Sequence, residues 1–154
     1  MFSRKPSDED SPRAMILLVD DNSNGLKARK SVLEEHGHSV VTSCGGEDAL
    51  ERFGRDKFDL VVTDYKMPGM DGVELISRLR QVRPALPVIL LSGFADTLGL
   101  SPESTGADAV IQKSAHEVAH LVRAVAKIAQ QKFVRKPPAS QGPPPKAKRK
   151  GGAA

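Results

Sequence analysis

Residues 61–72 read VVTDYKMPGMDG, a short aliphatic run that ends on Asp64 and continues into a loop rich in proline and glycine. Three further segments also close an apolar run with a polar side chain: MILLVD at 15–20, PVILLS at 87–92 and DAVIQK at 108–113. Short branched runs bounded by turn residues are typical of buried parallel strands. Open α/β sheets bind ligands at the carboxyl ends of such strands, where this chain places Asp20, Asp21, Asp64, Ser92 and Lys113.

Strands alternate with helical segments along the chain, which predicts an α/β fold with a parallel sheet, right-handed crossovers and helices on both faces. The predicted strands cover 14–20, 38–44, 59–63, 87–91 and 109–112, and the predicted helices cover 23–36, 47–55, 73–82 and a last helix that opens at Ser114. Ser114 and Glu117 have the spacing of a capping box. The inward face of that last helix is predicted to hold Val118, Leu121, Val122, Val125 and Ile128.

The region 95–107, ADTLGLSPESTGA, is predicted to be a poor helix. Gly99 and Pro102 interrupt it, because glycine weakens a helix and proline removes a backbone donor and clashes with the preceding turn. Pro102 fits only in the first turn of a helix, with Ser101 as the residue that caps it. We therefore expect a broken segment between the fourth and fifth strands.

The length of 154 residues fits one domain with tails. Residues 1–13 are polar and charged, so we expect a disordered N-terminal segment, followed by a domain over 14–131. Residues 132–154 are rich in proline, glycine and lysine and are predicted to form a disordered basic tail. Charge divides at the same point, because the first 131 residues hold 16 cations and 19 acids, a net charge of −3, and the last 23 carry +7.

The single cysteine, Cys44, excludes an internal disulfide and a cysteine-based zinc site, which favours a reducing compartment. No apolar stretch approaches the roughly 18 residues that span a bilayer, and the first residues lack the apolar core of a signal peptide. We therefore expect a cytoplasmic protein with no membrane partner. His116 and His120 share a helix face at i, i+4, but without an acidic or cysteine partner nearby, solvated surface is favoured over a metal site.

The chemistry of the sheet edge depends on the combination of these residues. Adjacent carboxylates such as Asp20 and Asp21 repel each other unless a cation compensates, and a hard cation such as Mg²⁺ prefers oxygen ligands. A carboxylate at Asp64 can attack a phosphoryl group, and an ammonium at Lys113 can offset the charge on the transferring oxygens. Taken singly, each residue has a simpler interpretation as a helix cap, a turn residue or a solvated strand end. Their convergence at one edge favours a divalent cation beside a phosphoryl group.

Four motifs in this order, LLVDDN, VVTDYKMPGMDG, ILLSG and GADAVIQKS, resemble the receiver domain of bacterial two-component response regulators over about residues 14–131. The resemblance implies a flavodoxin-like, doubly wound sheet of five parallel strands in the order 2-1-3-4-5. It also implies that Asp64 is the phosphoacceptor and that Ser92 and Lys113 contact the phosphoryl oxygens. The Mg²⁺ cofactor is then held by Asp21, Asp64, the backbone carbonyl of Lys66 and, through water, Asp20.

Three features differ from the usual pattern of that family. Ser114 follows the lysine where receivers usually have proline, and Val110 stands where an aromatic residue commonly swings inward on phosphorylation. The interruption at Gly99 and Pro102 falls in a face that partners or a second protomer often read. The resemblance therefore supports phosphate capture at Asp64 more strongly than it supports the family's usual route for transmitting the signal.

The favoured hypothesis is a stand-alone receiver, a phosphoacceptor regulator rather than an enzyme. It takes a phosphoryl group from a histidine kinase or histidine phosphotransferase onto Asp64, loses it by hydrolysis, and acts on an unknown downstream protein. The alternative is a phosphorylation-independent interaction protein or nucleic-acid tether, whose basic tail binds nucleic acid weakly and without sequence preference. A metal-dependent phosphatase with outside substrates is the weakest hypothesis, because the sequence supplies no second acid or base for it.

Overall fold

The structure, a computed structural model, describes residues 12–93 and 98–135, without the side chains of residues 132–135. The strands are β1 (Met15–Val19), β2 (Ser39–Ser43), β3 (Leu60–Asp64), β4 (Val88–Ser92) and β5 (Ala109–Gln112). The helices are α1 (Ser23–Glu35), α2 (Gly46–Arg55), α3 (Gly72–Val82), α4 (Pro102–Thr105) and α5 (Glu117–Arg135). All five strands form one parallel sheet in the order β2-β1-β3-β4-β5, so the predicted fold class and strand order are confirmed.

The parallel pairing brings the carboxyl ends of the strands to one edge of the sheet. Asp64 is the last residue of β3 and Ser92 is the last residue of β4. Asp20 and Lys113 are the first residues after β1 and β5. The polar residues that close the four apolar runs therefore stand along the same edge, as the sequence pattern predicts.

Helices cover both faces of the sheet, since alternate side chains of each strand point to opposite faces. On one face, Leu17 and Val19 of β1 belong to a buried cluster that includes residues of α2 and α3. On the other face, Ile16 and Leu18 belong to a second cluster with residues of α1 and α5. α1 and α5 therefore lie on the same face, where they contact each other.

The interrupted region before β5 has its predicted form where the structure describes it; residues 94–97 lie outside the described residues. α4 is a single turn with Pro102 at its start. Ser101 caps this turn, and its Oγ accepts a hydrogen bond from Ser104 N at 3.1 Å. Gly106, with φ of +85°, ends it. The prediction that Ser101 caps a first turn containing Pro102 is confirmed.

The start of α5 differs from its prediction. The helix begins at Glu117 instead of Ser114, and Ser114 Oγ accepts a hydrogen bond from the backbone N–H of His116 at 3.2 Å. The Glu117 carboxylate accepts hydrogen bonds from Arg29 of α1 instead of turning back to Ser114. The predicted capping box is therefore wrong, because a buried guanidinium takes the carboxylate that the box requires.

The inward face of α5 is otherwise close to its prediction. Leu121 and Val125 are buried, whereas Val118 is 42% exposed, so its predicted inward orientation is wrong. Glu117, one residue earlier, takes the buried position at this end of the helix. α5 continues to Arg135, beyond residue 131, where the domain was predicted to end. Among the helices that the structure describes, none is long and apolar enough to cross a membrane.

Candidate functional site

Asp20, Asp21 and Asp64 form an acidic cluster at the carboxyl edge of the sheet. One carboxylate oxygen of each lies within 4.8 Å of those of the other two. Asp20 and Asp64 are buried, with 2% and 6% of their surface exposed, and Asp21 is exposed. Three oxygen donors this close together, with one open to solvent, suit a hard divalent cation. Within the described residues, no other group of three or more acidic, histidine or cysteine side chains converges this closely.

Hydrogen bonds fix the start of the cluster. Asp20 N donates to Ser43 O at 3.1 Å, which extends the pairing with β2 one residue past β1. Asp20 Oδ1 accepts from Asn22 N at 3.0 Å, and Asn22 Oδ1 accepts from Gly25 N at 3.0 Å to cap α1. The simpler interpretation of this segment as a helix cap is therefore correct for Asn22. It leaves the carboxylates of Asp20 and Asp21 at the cluster.

The position of Asp64 depends on a close approach of α3 to the end of β3. A Cβ atom on Gly72 would lie 2.4 Å from the Asp64 carbonyl oxygen, so only glycine fits without a shift of the backbone. Gly72 N donates to Tyr65 O at 2.8 Å, and Asp71 caps α3 by accepting from Glu74 N at 2.9 Å. The sequence MPGMDG is thus the loop and helix cap that hold the backbone of the predicted acceptor.

Lys113 lies beside the cluster and pairs with Asp64. Its Nζ is 2.6 Å from Asp64 Oδ1, and 30% of its side chain is exposed. Lys113 N donates to Ser92 O at 2.8 Å, and Gln112 Nε2 donates to Gly93 O at 3.0 Å, so the segments after β4 and β5 are tied together. These bonds hold the lysine although serine follows it instead of the usual proline. The structure thus brings Lys113 to Asp64, with the buried Ser92 at the same edge.

The remaining polar candidates are exposed. Lys66, in the loop after β3, lies two residues beyond Asp64, and the role of its backbone carbonyl as a metal ligand stays a prediction. His116 and His120 are exposed, and their ring centroids are 6.4 Å apart. The interpretation of these two histidines as solvated surface agrees with their exposure.

The environment of Asp64 changes its acidity. Burial raises the pKa of the Asp64 carboxyl above its ordinary value, and the negative charge of Asp20 raises it further. The hydrogen bond and charge of Lys113 and the charge of Arg29 act in the opposite direction. The charges of Asp20, Lys113 and Arg29 thus act on Asp64 together with its burial, and a further cation at the cluster would favour the charged form of the carboxyl.

Arg29 is a part of this site that sequence reasoning missed. Its Nη1 donates to Asp20 Oδ2 at 2.7 Å, its Nε donates to Glu117 Oε2 at 2.5 Å, and its Nη2 donates to Glu117 Oε1 at 3.3 Å. Burial works against the charged form, but the bonds and charges of Glu117 and Asp20 hold the pKa of Arg29 above its ordinary value. The three residues form a buried ionic chain that joins the acidic cluster to α5.

The sequence holds a weak signal for this buried ionic chain. The buried residues of α1 are Leu26, Arg29 and Leu33, which follow the three- and four-residue spacing of an inward helical face. An arginine on such a face needs a carboxylate partner, and Glu117 is the acid at the start of the helix on the same side of the sheet. The spacing alone could not identify which acid that would be.

The fold and the site together define a receiver domain: a five-stranded sheet of order 2-1-3-4-5 with three carboxylates and a lysine at its carboxyl edge. Residues 16–126 match the family model described as the response regulator receiver domain, and the chain belongs to this family. Receiver domains are signalling regulators of two-component systems. The family that the sequence motifs indicated is therefore confirmed.

Three curated relatives are regulators of this kind. The chain is 42% identical over 79 residues to the transcriptional regulatory protein GlrR of Escherichia coli (strain K12), a match that covers 51% of the chain and 18% of GlrR. It is 35% identical over 116 residues to the alkaline phosphatase synthesis transcriptional regulatory protein PhoP of Bacillus subtilis (strain 168), with 71% and 47% covered. It is 36% identical over 89 residues to the response regulator receiver protein CpdR of Brucella abortus (strain 2308), with 58% and 73% covered. The chain thus spans less than half of GlrR and of PhoP.

Solved receiver domains have the same fold. A receiver domain protein from Clostridium thermocellum matches with a TM-score of 0.70 and 29% identity, over 79% of this chain and 98% of its own. The response regulator TrrA of Thermotoga maritima, in complex with Mg²⁺-BeF, matches with a TM-score of 0.68 and 32% identity, over 74% and 97%. TrrA in complex with the histidine kinase ThkA gives a TM-score of 0.67 at the same identity and coverage.

Proposed function

We propose that this chain is a phosphoacceptor of a two-component phosphorelay and that Asp64 takes a phosphoryl group from a histidine kinase or a histidine phosphotransferase. The single observation that carries the proposal is the buried Asp64 carboxylate, paired with Lys113 at 2.6 Å and grouped with Asp20 and Asp21. A carboxylate in this setting has a cation ready to stabilise added negative charge. The complex of TrrA with the histidine kinase ThkA supports the class of donor.

In the proposed step, a carboxylate oxygen of Asp64 attacks phosphorus and the phosphorus–nitrogen bond of a phosphohistidine donor breaks. The histidine nitrogen leaves with the bonding electron pair, and Asp64 becomes an acyl phosphate. Lys113 Nζ then exchanges its carboxylate partner for a phosphoryl oxygen, and the Ser92 hydroxyl donates a hydrogen bond to another. Hydrolysis of the acyl phosphate restores the Asp64 carboxylate.

The acidic cluster fits Mg²⁺ as the cofactor. Its donors are carboxylate oxygens, the ligands that this cation prefers, and Asp21 keeps the cluster open to solvent. Asp21 and Asp64 would bind the ion directly together with the backbone carbonyl of Lys66, and Asp20 would contact it through water. The ion supplies positive charge for the phosphoryl oxygens. TrrA with Mg²⁺-BeF supports this assignment.

Intact-mass measurement after treatment with acetyl phosphate and Mg²⁺ tests the proposal. We expect wild type to gain one phosphoryl group and Asp64→Ala to gain none. Asp21→Ala should also fail, because it loses the cation rather than the nucleophile. Asp56→Ala, which removes an exposed carboxylate at the end of α2, is the matched control and should behave as wild type. An equal gain in Asp64→Ala, or no gain in wild type with the metal present, would sink the proposal.

The alternative function rests on the basic tail. Residues 136–154 lie outside the described residues, and the structure gives no side chains for residues 132–135. No observation favours nucleic-acid tethering, and that hypothesis stays a prediction from the sequence. Cytoplasmic localisation and action on a downstream protein likewise remain predictions.

A further inference from the structure

We propose that Arg29, held by Glu117, is a positioning residue that fixes Asp20 and sets how tightly the acidic cluster binds a divalent cation. The inference rests on the proposed function, because it assigns a regulator to the same cation site. It adds two residues, on α1 and α5, that lie outside the motifs at the strand ends. Glu117, at the start of α5, thereby affects how strongly the acidic cluster binds a cation.

The geometry leaves Asp20 little freedom to turn. Its Oδ2 accepts from Arg29 Nη1 at 2.7 Å, and its Oδ1 accepts from Asn22 N at 3.0 Å, so both oxygens are held. Arg29 is itself held from the other side, where Nε and Nη2 donate to the two oxygens of Glu117. A planar guanidinium that bridges two carboxylates has a defined orientation, unlike a single-point lysine contact.

The helix backbone makes room for this contact. A Cβ atom on Gly25 would lie 2.9 Å from Arg29 Nη1 and 3.2 Å from Asp20 Oδ2. Glycine weakens a helix relative to alanine, and here the space that a side chain would fill is occupied by the guanidinium. α1 therefore gives up a side chain at a position next to the acidic cluster.

Burial makes the ionic chain effective. The side chains of Arg29, Asp20 and Glu117 are 10%, 2% and 11% exposed, so water screens their charges poorly. Arg29 offsets the charge of Asp20 and lowers the attraction of the cluster for a cation. Glu117 offsets Arg29 in turn, and it lies farther from the cluster, since the guanidinium stands between them.

This arrangement predicts that two variants shift the dissociation constant for Mg²⁺ in opposite directions. Glu117→Gln keeps the size and one acceptor oxygen but leaves Asp20 to compensate Arg29 alone, so Asp20 attracts a cation less strongly and the dissociation constant for Mg²⁺ should rise about fivefold. Arg29→Met with Glu117→Gln removes a cation in direct contact with the cluster without leaving Glu117 unpaired, so the constant should fall about fivefold below wild type. Damage to the fold alone would weaken binding in both proteins.

Isothermal titration calorimetry with Mg²⁺ on the full chain measures these constants, and urea unfolding checks that each variant is folded. Glu34→Gln is the matched control, because it removes the same charge from an exposed i, i+4 pair with Lys30 on α1. Its constant should equal that of wild type. If the double variant does not fold, Glu117→Gln decides alone, and an unchanged constant overturns the proposal.

The same preparations separate this inference from the proposed function. Wild type that binds Mg²⁺ and is phosphorylated, beside variants whose constants equal that of wild type, overturns only the role of Arg29. Shifts of the same sign in both variants would also reject it. Wild type that binds no Mg²⁺ overturns this inference together with the assignment of Mg²⁺ as the cofactor, and the mass measurement with acetyl phosphate then decides separately whether Asp64 is a phosphoacceptor.

Discussion

Lys113 and Arg29 each pair with a carboxylate of the acidic cluster, but from very different surroundings. Lys113 follows β5, keeps 30% of its side chain exposed and contacts Asp64 with its terminal nitrogen. Arg29 is buried between α1 and α5 and bonds to carboxylates on both sides. A flexible ammonium with solvent on one side can follow new negative charge, whereas a bridged guanidinium cannot move without leaving a carboxylate unpaired. In our proposals, Lys113 takes part in phosphoryl transfer and Arg29 holds Asp20 in the cation site.

Replacing Lys113 with methionine gives the largest expected effect and tests the first half of this comparison. Loss of a preorganised cation at the reacting group should slow phosphoryl incorporation by about 100- to 1000-fold. The free energy of unfolding should fall by about 2 kcal/mol, because loss of the partly exposed lysine leaves the buried Asp64 carboxylate without its partner. Initial rates of mass gain with acetyl phosphate and urea unfolding measure the two quantities. Lys27→Met, an exposed lysine on α1, is the control, and a comparable slowing there would contradict a specific role.

Replacing Arg29 with alanine tests the second half. It leaves Asp20 and Glu117 buried without their cation, so we expect the free energy of unfolding to fall by about 3 kcal/mol. Lys30→Ala breaks an exposed pair on the same helix and should cost less than about 1 kcal/mol. Urea titrations at neutral pH compare the two. If both substitutions cost the same, Arg29 is not the structural cation that its burial indicates.

The same contrast explains what the sequence could predict. Asp64, Ser92 and Lys113 each end a short apolar run, so their common edge follows from local pattern and the rules of parallel sheets. The Arg29–Glu117 contact joins residues 88 positions apart on two helices. The spacing of Leu26, Arg29 and Leu33 indicates that Arg29 faces inward, but it cannot identify the acid that compensates it. Only the packing of α1 and α5 on one face shows that they meet.

Glu117 illustrates how a local rule can be correct in form and wrong in outcome. Its spacing from Ser114 satisfies the capping box, yet the carboxylate bonds to Arg29 instead. A bond to a buried guanidinium outweighs a bond to an exposed backbone N–H, because Arg29 Nε and Nη2 would otherwise lose the acceptor that Glu117 gives them. At this end of α5 Glu117 takes the buried position, and Val118 is 42% exposed.

The pH dependence of the free energy of unfolding near neutral pH is expected to come from His38 and not from Lys113 or Arg29, which stay charged in this range. Burial lowers the pKa of His38, with the charge of His36 adding to this, and His38 Nδ1 accepts a hydrogen bond from Ala14 N at 3.0 Å. Above the unfolded pKa of about 6.5 the imidazole is neutral in both states. As pH falls, the unfolded chain takes up a proton that the folded chain resists, so stability is lost by up to about 1.4 kcal/mol between pH 7.5 and 5.5.

His38→Asn keeps an acceptor at the position of Nδ1 and cannot gain the proton. Its free energy of unfolding should therefore change less than that of wild type between these two pH values, whatever its absolute stability. Asp64, whose pKa burial raises, contributes equally to both proteins and cancels in the difference. Urea titrations at both pH values provide the measurement. Parallel pH dependences for the two proteins would remove His38 as the source.

Gly25→Ala has the smallest expected effect and tests whether Arg29 is as rigidly held as the comparison requires. Alanine favours a helix over glycine by about 0.5–1 kcal/mol, but at this position its Cβ would meet Arg29 Nη1 at 2.9 Å. In wild type the gain should be offset by displacement of the guanidinium, and in an Arg29→Met background most of it should appear, since of these close approaches only the one to Asp20 Oδ2 at 3.2 Å remains. The two substitutions should therefore couple by about 1 kcal/mol in a double-mutant cycle followed by urea unfolding.

Gly54→Ala, on α2 with no neighbouring atom within 4 Å of its added Cβ, is the control and should be additive with Arg29→Met. If Gly25→Ala and Arg29→Met are additive as well, the Arg29 guanidinium moves aside at little cost. The contrast between a movable Lys113 and a fixed Arg29 would then be wrong.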